Sequence, residues 1–421
     1  MRLARRSLLA APLLALPALR AAEAQSAALR VSLTPSIFNA MFEDMIRGFE
    51  ADPAAPRIRV EGRYRDQIDQ FQATLRQGLV GGLTDAGFQG FAYLPELRER
   101  DITVRLDDFL ARDEGAAALG LSGAVLSTSR VGEELHGLGV AMSFPIIYLN
   151  AVLMRRAGLD ADQPPRDWDG ILAAARAIDA LKLDGVMGGA FQYASGGNWT
   201  WIALTESLGG RMVTPDGRRA FDDATGMRAL EIIGALGATG QDRGDVAQDA
   251  LRGVFRSGNI GILVDSSSSL VAFESSNGPR LEVRTAPLPV SAGGRLPAAG
   301  ICSVMHVRDP ARQQMAWRFM RYASGPEGQA AVARLTGYTP ANAVAVAGPL
   351  AAHYAARPTS RAGLDSAAHA APWFAFPGEN SARIAPIIRD HLRQLVIQRS
   401  TPRATMDAIV ASVRQLVPQL G

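Results

Sequence analysis

The chain has 421 residues, 48% of them hydrophobic and 20% charged, which is an ordinary soluble globular composition. Its 44 basic and 41 acidic residues leave a formal net charge of +3, and the basic residues, arginines apart from Lys182, form no cluster with interleaved aromatics, so a nucleic-acid surface is excluded. A single cysteine, Cys302, allows no internal disulfide, so stability rests on packed cores, and a chain of this length points to two lobes of ordinary domain size.

At the start, Arg2, Arg5 and Arg6 precede a short apolar run from Ser7 to Leu19, and Ala22-Glu23-Ala24 has the small-x-small pattern. This predicts a cleaved export signal over residues 1–24, with the mature chain beginning near Gln25. The run is too short to span a bilayer. Leu29 to Leu33 reads as a first strand and Pro35 to Ala51 as an amphipathic helix with Ile37, Met41, Met45, Ile46 and Phe49 on one face. Ile58-Arg59-Val60 is a second strand, followed by the loop Gly62-Arg63-Tyr64 and a helix from Asp66 to Leu79. Gly87 to Ala92 reads as a third strand, with a short helix near Pro95 to Arg100. Strands alternating with helices at this spacing argue for an α/β architecture.

The stretch from Phe144 to Ala180 is the most distinctive. Pro145 to Asn150 is a buried strand and a helix follows it to Ala157-Gly158, where glycine supplies a left-handed end. Pro164 and Pro165 bar continuation, and Trp168 opens the next helix with Asp167 or Asp169 as its cap. Asp169 to Leu251 reads as mainly helical, Ile260 to Val264 as a buried strand running into the loop Asp265 to Ser269, and Leu281 to Leu288 and Ile301 to Val307 as strands. Helices are expected over Pro310 to Tyr322, Pro326 to Leu335, Ile384 to Ile397 and Pro402 to Leu416. Cys302, inside the apolar run Ala298 to Val307, is expected to be a buried small hydrophobe.

Catalysis finds little support. The sequence has no nucleophile elbow, zinc-protease motif, P-loop or dinucleotide fingerprint. Its five histidines, His136, His306, His353, His369 and His391, include no pair at helical spacing. No catalytic residue, metal or cofactor is therefore expected. Acidic pairs such as Asp107-Asp108 and Glu133-Glu134 read as solvated surface. Ligands of open α/β sheets bind outside the carboxyl ends of strands, which makes Tyr64, Ser143, Trp199, Trp201, the serines Ser266 to Ser269 and Tyr338 candidate contacts.

The phrase from Phe144 to Ala180, with its strand, Asn, helix, Ala-Gly-Leu, Pro-Pro and Trp in that order, resembles the family 1 extracellular solute-binding proteins of bacterial ABC importers. The resemblance covers most of the mature chain and is nearest to the branch that binds glycerol 3-phosphate. Tyr64 in Gly62-Arg63-Tyr64 stands at that branch's ligand tyrosine, Ser266-Ser267 match its serine loop, and Gly300 its strand-opening glycine. Thr336-Gly337-Tyr338-Thr339-Pro340 matches its Thr-Gly-Tyr-x-Pro, the most specific of these motifs. Trp199 and Trp201 match its tryptophan region, Ser143 its serine stretch, and Arg383 its phosphate-binding arginine, with Arg389 competing for that place.

The resemblance implies a two-lobed periplasmic-binding-protein fold of type II, each lobe a mostly parallel sheet flanked by helices. Residues 25–143 with 298–342 would form one lobe, and 144–297 with 343–421 the other. It implies a monomeric protein of the periplasm, without cofactor, that captures a small polar solute and delivers it to the transmembrane subunits of an ABC permease. Ala92 stands where the branch has a ligand glutamate, which favours a glycerophosphodiester or related phosphorylated polyol over plain glycerol 3-phosphate. A sugar or oligosaccharide is the alternative solute, and an exported hydrolase of phosphate esters or glycans the alternative of another class.

Overall fold

The computed structural model describes residues 28–34, 36–243, 248–378 and 380–420, so the expected export signal at 1–24 lies outside the described residues. Strand β1 (Leu29–Leu33) is followed by a 3-10 turn and helix α1 (Asn39–Glu50), which buries Met41, Phe42, Met45 and Phe49 at helical spacing. β2 (Ile58–Arg63) leads into α2 (Gln67–Leu79), capped by the Asp66 carboxylate accepting from Asp69 N at 2.9 Å. β3 (Ala86–Gly90) closes this first run.

Two strands then abut. β4 (Leu138–Ser143) and β5 (Pro145–Asn150) are separated by Phe144 alone, and every residue of both is buried. They belong to different sheets. The first sheet has the order β10-β4-β9-β3-β1-β2, where β9 is Ala299–Met305 and β10 is Thr339–Pro340. The second has the order β8-β5-β7-β6, with β6 Met187–Phe191, β7 Ile260–Ser266 and β8 Val283–Pro287. Parallel pairing joins β1 to β2 and β3, and β6 to β7. β9 runs antiparallel to β3 and β4, β10 to β4, and β5 to β7 and β8. The expected parallel character thus holds for the strands linked through helices, while strands at the passages between sheets enter against them, making both sheets mixed.

The helix opened by Trp168 is α3 (Trp168–Asp179), and Asp167 caps it by accepting from Gly170 N at 2.7 Å. Gly158 takes the expected left-handed conformation, with φ 74°. The middle of the chain departs from its helical expectation at β6. Its Gly188-Gly189 reads as a turn in sequence, but a Cβ on Gly188 would lie 2.0 Å from the Ala175 carbonyl oxygen of α3. The glycines let helix and strand touch. β4 was not anticipated either. Helix α4 (Trp199–Ser207) is buried at every residue, and α5 (Gln248–Arg256), α6 (Ser381–Val396) and α7 (Pro402–Leu416) complete the elements used below.

Candidate ligand-binding cleft

A cleft of about 810 Å³ lies between the two sheets and is lined from both sides. On the second-sheet side the rings of Trp199, at the start of α4, and Trp373 stack with centroids 6.2 Å apart and planes within 10°. The Trp199 indole is held by donating from Nε1 to the Pro297 carbonyl at 2.6 Å. On the first-sheet side Phe71 and Tyr93 stack at 4.5 Å and 12°. Burial, then the nearby Asp66 charge, raises the Tyr93 phenol above its ordinary pKa. Tyr338 lines the same space with its ring 4.8 Å from Phe38. Its phenol is also raised by burial, against the opposing pull of a hydrogen bond with Ser268. Such aromatic faces suit the carbon skeleton of a polar solute.

The polar part of the cleft is organised by Asp265, which is 1% exposed and takes a two-pronged ion pair from Arg252, Nε to Oδ2 at 2.6 Å and Nη2 to Oδ1 at 2.9 Å. The same carboxylate accepts from Ser266 N at 2.7 Å and from Ser269 Oγ at 3.4 Å. Ser266 and Ser268 face each other through their hydroxyls at 2.8 Å. The serine run is therefore a folded 3-10 turn, Ser267–Ser269, fixed to the end of β7, and not the loose loop its composition suggests.

Of the residues expected at the site, Ser143, Trp199, Ser266, Gly300 and Tyr338 converge on the cleft. Four do not line it. Trp201 is 0% exposed and packs edge-on against Phe221, because α4 is buried all round and two residues' advance turns the ring into the core. Ser267 is buried at the passage between sheets, where its Oγ accepts from Phe144 N at 3.1 Å and its N–H donates to Phe144 O at 2.8 Å. Tyr64 leaves a β2 that runs on through Gly62 and Arg63, and its ring lies over the Gly62 backbone, whose Cβ position is 2.7 Å from the tyrosine hydroxyl. Arg383 is exposed and donates to Asn380 Oδ1 at 3.1 Å. Arg389, six residues on, lines the cleft; at 3.6 residues per turn the two sit about 240° apart around α6. Ala92 faces the cleft, and so does Glu96 one turn later.

Trp373 and Arg252 also line the cleft without having been anticipated. Trp373 had a signal, an aromatic run Trp373-Phe374-Ala375-Phe376 framed by Pro372 and Pro377. Arg252 had none, since its place depends on Asp265 across the fold. Among the described residues no helix is long and apolar enough to cross a membrane and no cluster of three metal-ligating side chains occurs.

Comparison with known proteins places this geometry. Residues 44–359 match the family described as bacterial extracellular solute-binding protein. Over 185 residues the chain is 26% identical to the sn-glycerol-3-phosphate-binding periplasmic protein UgpB of Agrobacterium fabrum, a match spanning 41% of this chain and only 38% of that protein. Among solved structures, the cyclic alpha-maltosyl-1,6-maltose binding protein of Arthrobacter globiformis superposes with TM-score 0.75 at 19% identity, over 93% of this chain and 98% of that one. UgpB of Mycobacterium tuberculosis in complex with glycerophosphocholine gives 0.75 at 18%, over 92% and 98%. The sugar-binding protein MalE of Xanthomonas citri gives 0.77 at 17%, over 93% and 97%. The fold is that of the two-lobed solute-binding proteins.

Proposed function

We infer that this chain, which belongs to the family of bacterial extracellular solute-binding proteins, captures a phosphorylated polyol such as a glycerophosphodiester in the periplasm for delivery to an ABC permease. The lobes divide as the sheets do, 25–143 with 298–342 against 144–297 with 343–421, and the export signal at 1–24 is removed near Ala24. The observation that carries this reading is the two-sided lining of the cleft. Tyr93, Ser143 and Gly300 face it from the first-sheet side, and Trp199, Ser266, Trp373 and Arg389 from the second. A solute touching both sides favours the state in which they approach, because only differential affinity shifts such an equilibrium. The protein performs capture and no bond-making step.

Arg389 takes the phosphate role that sequence gave to Arg383. The solute hydroxyls, deprived of a glutamate at Ala92, find an acceptor in Glu96, which shares that wall. The stacked Trp199–Trp373 pair favours a second reading, a neutral oligosaccharide laid on the aromatic wall. A thermal-shift panel separates them: sn-glycerol 3-phosphate, glycerophosphocholine and maltose, each at increasing concentration. A true ligand at a hundredfold excess over its Kd adds about 2.7 kcal/mol to stability. Stabilisation by a phosphate ester supports the first reading, and stabilisation by maltose alone replaces it with the second.

A further inference from the structure

We propose that the N-terminal end of α4, together with the Asn198 amide, forms an anion-binding corner of the cleft that takes the phosphate group of the solute. The proposal rests on the phosphate-ester reading above and names the groups that recognise the ester's charge.

Three observations meet at this corner. The first is placement. α4 has nine residues and begins at the cleft wall, where Gly196, Gly197, Asn198 and Trp199 all line the space. A helix start offers N–H groups and the positive end of the helix dipole.

The second is the state of Asn198. It is 1% exposed, lines the cleft, and its Nδ2 has no hydrogen-bond partner. Asparagine at a helix start ordinarily accepts from an N–H of the first turn, but Asn198 makes no such bond. Ser195 does that work instead, its Oγ accepting from Thr200 N at 3.0 Å. Asn198 also holds a left-handed backbone, φ 59° and ψ 26°, directly after two glycines that would tolerate it better. An unpaired buried amide and a backbone of this kind both cost stability. Their coincidence on one cleft residue is what a ligand contact explains and a capping role does not.

The third is the company it keeps. α6 packs against the Gly196–Asn198 turn and carries Arg389 to the same cleft. Amide, helix N–H and guanidinium are all donors, which suits an oxyanion that only accepts. The acid nearest in kind, Asp265, is engaged by Arg252.

The test compares Asn198→Asp and Asn198→Gly with the parent protein in calorimetric titrations with sn-glycerol 3-phosphate, glycerophosphocholine and maltose, alongside melting temperatures without ligand. Asn198→Asp replaces a donor with a negative acceptor and is expected to weaken phosphate-ester binding by about 30-fold or more. Asn198→Gly is expected to weaken it about tenfold while melting at or above the parent temperature, since glycine relieves the left-handed backbone. Phosphate-ester affinities within about twofold of the parent in both variants would overturn the corner and leave the phosphate-ester reading standing. A drop in melting temperature that accompanies the lost affinity in Asn198→Gly would overturn it too, as the mark of a merely structural residue. If the parent binds maltose and no phosphate ester, both the reading and the corner fall.

Discussion

Gly300 shows how little room the floor of the cleft has. Its φ is 131°, and a Cβ there would lie 2.0 Å from the Ala141 carbonyl oxygen of the neighbouring strand, beside the irregular register of β9 on β4. Gly300→Ala is therefore expected to cost roughly 2–4 kcal/mol of stability, read as a lower urea midpoint; an unchanged midpoint would show that β4 and β9 part easily. Trp373→Ala should act on binding and spare the fold, because its ring stacks on Trp199 at the cleft. Its affinity for the solute should fall about tenfold, with the melting temperature nearly kept. A buried titratable group sets the response to acid. His306 is fully enclosed, its Nδ1 3.0 Å from the Ile102 carbonyl oxygen, and burial lowers its pKa from 6.5 to about 4, only partly offset by that bond. The unfolded chain thus binds more protons between about pH 4 and 6.5. The contribution of neutral His306 is complete above 6.5 and is lost as pH falls toward 4, by up to about 3 kcal/mol. Urea melts at steps between pH 7 and 4.5 should show this slope, and His306→Gln should flatten it.

The elements explain why some of this could be read from sequence and some could not. The segment from Phe144 to Ala180 is legible because each break has a local cause: Gly158 with positive φ, the paired prolines, and Asp167 on the Gly170 amide. β6 was hidden because Gly188 and Gly189 signal a turn locally, while their reason is the approach of α3, a contact between distant residues. β4 was hidden because its role is to pair with β9 and β10. At the site, Tyr338 and Trp199 sit where motif and strand-end logic put them, but Arg383 and Arg389 are separated only by helical phase, which needs the register of α6. Cys302 was legible from its apolar neighbours: it is buried in β9 and its thiol is pushed up to about 12 by burial. It should resist thiol reagents until denaturant is added; modification of the native protein would contradict that packing. The passage between sheets adds an element-level prediction. Ser267→Ala removes the acceptor for the buried Phe144 N–H and should cost about 1–3 kcal/mol, seen as a lower urea midpoint.

At the scale of the molecule, the two sheets meet where Phe144 joins β4 to β5 and where the serine turn after β7 touches the Gly337 segment before β10. A Cβ on Gly337 would lie 2.5 Å from the Ser268 carbonyl oxygen. These close backbone contacts lie beside the cleft, so a change in the angle between the sheets is felt by the residues that line it. Binding and closure are then one event: a solute held by Tyr93 and Ser143 on one side and by Trp199, Trp373 and Arg389 on the other draws the sides together. Small-angle X-ray scattering tests this most directly, comparing the protein alone with the protein saturated by glycerophosphocholine or by whichever of the three solutes binds. The account predicts a fall in radius of gyration that follows the same saturation curve as binding. Saturating binding with an unchanged radius of gyration would contradict it.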